Sequence, residues 1–352
     1  MTARVGVLGC YGGVGAEVTG LLDDLPVTVR PAGRRGDAVR AAAGERGLVV
    51  DVDDPDALAG FCADCDIVVD CTGPADRIGD RVLHAALAAG ADYVGPADLV
   101  APETVPAGRR VVLGAGMTPG LSTLLPRALA VDFDRLHRLT AHLGGRDRFT
   151  PAAAGDYLAG MRDRTSRSAA AWIDGRSVPG RLEPLRDVEI PYFPGRVTAH
   201  PFLSAEAQWL GETLGVDEVH WYHVFDGDRA LSVLGRVDAD APDAAEQVVR
   251  AAGLDLFGRP AYQLMVFQLD GESAGRPRTR VLVLRGADSY RLTASAAVLA
   301  VEELLAGRIP EGVGHAGRVL DPQRALDRLA AAPAVHRLDV VEEAAVVEEG
   351  AL

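Results

Sequence analysis

The chain begins Arg4-Val-Gly-Val-Leu-Gly9-Cys10-Tyr11-Gly12-Gly13-Val14-Gly15, a short apolar strand that runs directly into a glycine-rich turn. A helical run from Ala16 to Leu22 follows. This order is what a dinucleotide phosphate loop requires. Gly9 permits the tight turn off the strand, Gly12 or Gly13 admits the pyrophosphate close to the backbone, and Gly15 allows the helix to pack on the strand. The helix N-terminus then offers free N–H groups to the phosphates. A glycine triplet alone occurs in many plain turns. Its position between a strand and a helix is what makes it informative.

The first third continues to alternate. Strands are predicted at 27–30, 47–53, 66–71, 92–95 and 110–116, and helices at 37–46, 55–61 and 76–89. That rhythm gives an α/β protein whose first domain is a doubly wound parallel Rossmann sheet. From about Thr118 to Asp288 the pattern changes. After a helix at 121–130 come strand-like segments at 136–142, 218–225, 230–237, 262–269 and 279–284, the last two joined by a hairpin loop. This reads as an inserted α+β substrate domain. The expected organisation is residues 1–120 for cofactor binding, 121–288 for substrate, 289–333 as helices returning to the first domain, and 334–352 as a tail.

The chain has 352 residues, 48% hydrophobic and 24% charged, as expected of an ordinary globular protein. No apolar run reaches the roughly 18 residues of a membrane span, and no leader-like segment precedes the first strand, so a cytoplasmic protein is expected. The net charge of −14 and the lack of a basic block argue against nucleic acid and anionic membrane as partners. The sequence contains no Lys and no Asn. Lysine Schiff bases, lysine general bases and the Tyr-x-x-x-Lys pair are therefore excluded. Cys62-Ala-Asp-Cys65 has the spacing of a metal or redox pair, but no second pair or neighbouring His completes it. Reduced thiols and no metal are expected.

Strand two ends in Gly33-Arg34-Arg35, with no acidic residue at the turn to hold a ribose diol. An arginine pair suits a 2′-phosphate, so the expected cofactor is NADP(H). Asp51 lies near the adenine or serves the next helix. Cys71-Thr72-Gly73-Pro74 falls at the carboxyl edge of the sheet, where the ligand crosses. Candidate cofactor residues are thus Gly9, Tyr11, Gly12, Gly13, Val14, Gly15, Gly33, Arg34, Arg35, Asp51, Cys71, Thr72, Gly73, Pro74 and Gly116. Gly114 to Ser122 forms a second glycine-rich strand-to-helix junction, which puts Met117, Thr118 and Pro119 forward for substrate, with a helix N-terminus for a carboxylate. Arg164 and Arg167 share a helical face and either clamp a carboxylate or form a solvated surface. The two histidines of His220-Trp-Tyr-His223 point to opposite faces of a strand and cannot form a ligand pair. With no Lys, the proton-donor candidates are Tyr93, Asp98 and His223.

Several segments resemble the saccharopine dehydrogenase-like superfamily of saccharopine reductases, lysine 6-dehydrogenases and carboxynorspermidine dehydrogenases. They are Gly9-x-x-Gly12-x-x-Gly15, Ala-Gly33-Arg34, Asp51-Val-Asp-Asp54, Val-Val-Asp70-Cys-Thr-Gly-Pro74, Ala-Gly90-Ala-Asp-Tyr93-Val and Ala-Gly116-Met-Thr-Pro-Gly120-Leu-Ser. Tyr290-Arg-Leu-Thr-Ala294 and Leu320-Asp-Pro322 are similar to that family's closing segment. The resemblance implies a pyridine-nucleotide enzyme acting on a carbon–nitrogen bond of a small amino-acid-derived carboxylate, assembled as a homodimer through the middle-domain sheet. Where the family often has Ser/Thr-Gly-Glu after its Tyr-Val strand, this chain has Gly95-Pro-Ala-Asp98, and Asp98 stands in for the acidic residue. An imine is basic enough to take its proton from solvent, whereas a ketone needs a placed donor. A carbonyl or enoyl reductase, and a non-catalytic NADP sensor, remain as alternative readings.

Overall fold

The computed structural model describes residues 2–162 and 167–343. The chain divides into two compact units, of residues 1–124, 150–157 and 288–328 in the first and 125–149, 158–287 and 329–352 in the second.

The first unit is built on a parallel sheet of β1 (Arg4–Leu8), β2 (Thr28–Gly33), β3 (Leu48–Val49), β4 (Ile67–Asp70), β5 (Asp92–Val94), β6 (Arg110–Leu113) and a last strand, Gly312–His315. The spatial order is β3-β2-β1-β4-β5-β6 followed by Gly312–His315. The strand order reverses between β1 and β4, whose chains pair directly from Val5↔Ile67 to Leu8↔Asp70. Ligands of open α/β sheets bind in the crevice at such a reversal. Val5, Val7, Leu8, Val68, Val69, Val111, Val112 and Leu113 are fully buried. Strands covered on both faces need this unbroken apolar run rather than alternation.

The helices of this unit include α1 (Gly13–Asp23), α2 (Gly36–Ala43), α3 (Pro55–Ala63), α4 (Ala75–Ile78) and α5 (Arg81–Ala88), together with Ser289–Leu305. At α3 the Asp54 carboxylate accepts from the Asp56 and Ala57 amides, both at 3.1 Å, and Pro55 supplies the preset first residue. Two expectations need correction. Strand three is only Leu48–Val49, because the Asp51 carboxylate accepts the Asp53 amide at 3.1 Å and turns the chain. The single helix expected at 76–89 is broken after Ile78, where Gly79 lies at φ +65°.

The second unit carries a ten-stranded mixed sheet among the described residues. Its central strands are Glu218–Phe225, Arg135–Arg146, Tyr262–Ser273 and Arg276–Gly286. The first two run parallel and the others antiparallel. The hairpin strands extend further than expected and meet at a tight turn, Ala274–Gly275. Of Ala230–Val237, expected as a strand, residues 230–234 belong instead to the helix Asp228–Leu234. The Asp255 carboxylate accepts its Arg229 and Ala230 amides at 3.2 and 2.8 Å, and buried Ala230 and Leu234 stand four residues apart. Beyond Pro333, where only a tail was expected, Val335–Glu343 pairs antiparallel with Arg276–Gly286. Among the described residues no helix is long and apolar enough to cross a membrane.

Two glycines of α1 separate packing from propensity. A Cβ on Gly15 would overlap the Gly9 carbonyl, whereas one on exposed Gly20 meets nothing within 4 Å. Gly20→Ala should stabilise the protein by about 0.5–1 kcal/mol through helix propensity. Gly15→Ala should lower stability by about 1–3 kcal/mol through overpacking. Urea unfolding of the two variants beside wild type checks both signs.

Candidate active site

The loops at the carboxyl ends of β1 to β6 and of Gly312–His315 form one continuous edge. At β1 the chain turns at Gly9, with φ +81°, and a Cβ there would lie 2.5 Å from the Cys71 carbonyl at the end of β4. Gly12 caps α1 without any side-chain hydrogen bond, and the first turn holds no acidic residue. Its carbonyl accepts the Ala16 amide at 3.1 Å, so the amides of Gly13, Val14 and Gly15 keep no protein acceptor among the described residues. The result is an open anion site. The structure assigns different duties to the two central glycines. A Cβ on Gly13 would sit 2.5 Å from the Tyr290 ring of Ser289–Leu305, so Gly13 serves packing, while Gly12 faces only backbone at 3.2 Å.

At the end of β2 the Tyr11 ring covers Gly33, and its hydroxyl accepts the Arg35 amide at 3.4 Å. The Arg35 guanidinium lies 5.0 Å from the centre of that ring. Arg34 and Arg35 are both exposed, and neither forms an ion pair with a described residue. They are therefore free to meet a phosphate. Asp51 makes the local turn described above, and Asp53 is engaged by Arg81.

At β4 the Asp70 carboxylate accepts from the Thr72 amide at 3.0 Å, the Thr72 hydroxyl at 2.5 Å and the Tyr93 hydroxyl at 3.1 Å. Burial raises the Asp70 carboxyl, and the three donors partly offset it. Burial and the neighbouring Asp70 push the Tyr93 phenol well above its usual range. Tyr93 is 1% exposed, and its hydroxyl is committed to Asp70. It holds the Cys71–Pro74 loop and is poorly disposed to deliver a proton to a ligand. The segment 150–157 closes on the same loop. The Ala75 amide donates to Asp156 at 2.6 Å, and Pro74 lies against Gly155. Burial raises the Asp156 carboxyl.

The junction after β6 differs from its expected use. Gly116 accepts the Leu121 amide at 2.9 Å, Met117 accepts Ser122 at 3.0 Å, and Gly120 accepts Thr123 and Leu124 at 3.0 Å each. The first-turn amides of Leu121–Ala130 are thus already satisfied, and this helix start offers no anion site. Ser122 is fully buried. The Met117 amide donates to Thr293 at 3.2 Å, while Thr118 is exposed and Pro119 half-buried.

Asp98 follows β5, and its carboxylate lies 3.0 Å from Nδ1 of His315 at the end of the last strand. The sequence reading missed His315. Its signal was Gly312-Val-Gly-His315-Ala-Gly317, an apolar strand ending in a histidine between small residues. His223 belongs to the second unit, where it pairs across the strands with His200, and burial pushes its imidazole down to about 4. It is a neutral ring at pH 7 and a weak proton source. Arg164 and the side chain of Arg167 lie outside the described residues. Burial pushes the Cys62 and Cys65 thiols up to about 12 and about 11, so both are inert. Among the described residues no group of three His, Cys, Asp or Glu is placed to hold a metal ion.

Residues 5–109 match the family of the saccharopine dehydrogenase NADP binding domain. No curated protein matches the chain. Among solved structures, the chain is similar to apo saccharopine dehydrogenase (L-Glu forming) from Saccharomyces cerevisiae, at a TM-score of 0.70 and 18% identity, over 97% of this chain and 100% of that one. It is also similar to the C. glutamicum DAP dehydrogenase in complex with DAP, at a TM-score of 0.51 and 17% identity, over 94% and 99%. These likenesses agree with the fold, a Rossmann sheet with a second mixed sheet. The match over residues 5–109 points to NADP(H) as the cofactor, and the open α1 start and the free arginine pair fit it.

Arg34→Ala with Arg35→Ala should weaken NADPH binding by about one to two orders of magnitude, the loss of charge-assisted hydrogen bonds to one phosphate. NADH binding should change little, and fluorescence titration with both nucleotides checks the difference. Tyr93→Phe strips a buried carboxylate of one donor and should cost about 1–3 kcal/mol of stability, read as a lower urea midpoint.

Proposed function

We propose that this chain, whose residues 5–109 match the saccharopine dehydrogenase NADP binding domain, is an NADPH-dependent oxidoreductase acting on the C–N bond of a small amino-acid-derived carboxylate. The reaction is reduction of an imine or, in reverse, dehydrogenation of an amine. The observation that carries the reading is the pairing of an open helix start with free Arg34 and Arg35 on a Rossmann edge. The full-length likeness to saccharopine dehydrogenase supports the choice of bond.

In this reading the Gly13, Val14 and Gly15 amides bind the pyrophosphate, and Arg34 and Arg35 bind the 2′-phosphate. The Thr72–Pro74 loop, held by Asp70, Tyr93 and Asp156, borders the inner ribose. Bound NADPH supplies a hydride to the acceptor carbon. The chain must hold that carbon in place, exclude competing water and manage one proton. We place Met117, Thr118 and Pro119 beside the substrate. The enzyme is proposed to work in the cytoplasm as a homodimer formed through the second unit's sheet, whose strand Val335–Glu343 ends the described order.

One observation favours a second reading. Asp98 lies 3.0 Å from Nδ1 of His315, and such a pair suits the placed proton donor that a ketone needs and a protonated imine does not. Reduction of a carbonyl on the same scaffold is the runner-up.

The test is NADPH oxidation screened against cyclic imines, amine plus keto-acid or aldehyde pairs, simple ketones and enoyl thioesters. Turnover of the imines or of the amine-plus-carbonyl pairs is expected. Turnover confined to ketones or enoyl thioesters would replace the C–N reading by the second.

A further inference from the structure

We infer that Asp98 and His315 form the proton-transfer pair of this active centre, with Nε2 of His315 as the atom that passes the proton. The inference rests on the oxidoreductase reading above and adds to it a residue for the proton.

Both side chains are set by strand pairing. Gly95 donates to Val112 and accepts from Ala115, both at 2.9 Å, and Ala97 accepts the Gly114 amide at 3.0 Å. The loop that carries Asp98 is thereby laced to β6. His315 stands opposite Leu113 in the register of β6 and the last strand. The two side chains meet at 3.0 Å through Nδ1 and remain 50% and 32% exposed, so the pair faces open space rather than core. Neither side chain has another partner among the described residues. A carboxylate this close to Nδ1 favours the tautomer protonated there and leaves Nε2 to act. The position is also the right one. In a doubly wound sheet the adenine half of a dinucleotide lies over β1 to β3, and the reacting half lies over β4 to β6. Asp98 and His315 stand at the β5, β6 and last-strand end of that edge.

The chemistry balances without another group. When an amine adds to a carbonyl, the resulting carbinolamine must lose its hydroxyl. His315 in its protonated form gives the Nε2 proton to that oxygen, the C–O bond breaks, water leaves, and the nitrogen lone pair forms the protonated imine. Bound NADPH would supply the hydride that reduces this imine to the amine, and His315 regains a proton from solvent. Asp98 is the positioning residue. It keeps the ring oriented and remains a carboxylate throughout.

The experiment compares wild type with His315→Ala and Asp98→Asn. With an amine-plus-carbonyl pair, His315→Ala should lower kcat by about 10²-fold or more, the usual contribution of a general acid. A preformed cyclic imine, which has no oxygen to expel, should suffer a loss at least tenfold smaller. Added imidazole should restore part of the lost rate, and the NADPH dissociation constant should stay within about threefold of wild type. Asp98→Asn should lower kcat with little change in KM.

A readout without turnover accompanies these. In 15N-labelled wild type, the ring nitrogens of His315, assigned by their loss in His315→Gln, should show Nδ1 as the protonated nitrogen of the neutral ring. Asp98→Asn should abolish that preference, and NADP+ should shift the His315 ring signals. Equal loss with both C–N substrates, no imidazole rescue, or ring signals unmoved by NADP+ would overturn the assignment. If wild type turns over only ketones, the C–N reading fails, and the pair stands or falls on whether His315→Ala removes that ketone activity.

Discussion

The close approach of three backbones at one point governs this site. The β1 turn, the start of α1 and the end of β4 meet so tightly that a side-chain carbon has no room. A Cβ on Gly9 would lie 2.5 Å from the Cys71 carbonyl, and one on Gly15 would overlap Gly9. That approach aims the first-turn amides of α1 at the crevice where the strand order reverses. It also brings the β4 loop beside them. Open amides and a nearby loop are what a pyrophosphate and its riboses require.

A second layer of constraint comes from buried polar groups. Asp70 is a half-buried carboxylate, tolerable because Thr72 and Tyr93 supply three donors. Asp156 reaches the same loop from residues 150–157 and binds the Ala75 amide. A cofactor loop that must neither sag nor close is thus fixed by hydrogen bonds from distant parts of the chain. The site is preorganised at the cost of holding the Asp70 carboxylate partly out of water.

Much of the first unit was legible because its signals are local. A strand followed by spaced glycines, Asp54 before Pro55, and arginines without an acid at the end of β2 each state their chemistry within a few residues. What escaped depends on distant partners. Asp255 turns Asp228–Leu234 into a helix from 25 residues away. The amides of Leu121–Ala130 are consumed by the 116–120 loop, which no spacing rule shows. Tyr93 was a proton-donor candidate because the chain has no Lys, and its partner Asp70 sits on the neighbouring strand. His315 was overlooked because its meaning comes from Asp98, more than two hundred positions earlier in the chain.

The measurement that tests the account most directly is a crystal structure of the NADP+ complex. The account predicts the pyrophosphate on the Gly13, Val14 and Gly15 amides, the 2′-phosphate between Arg34 and Arg35, and the nicotinamide beside Asp98 and His315. A nucleotide bound with its 2′-phosphate away from both arginines, or with its nicotinamide remote from His315, would contradict it.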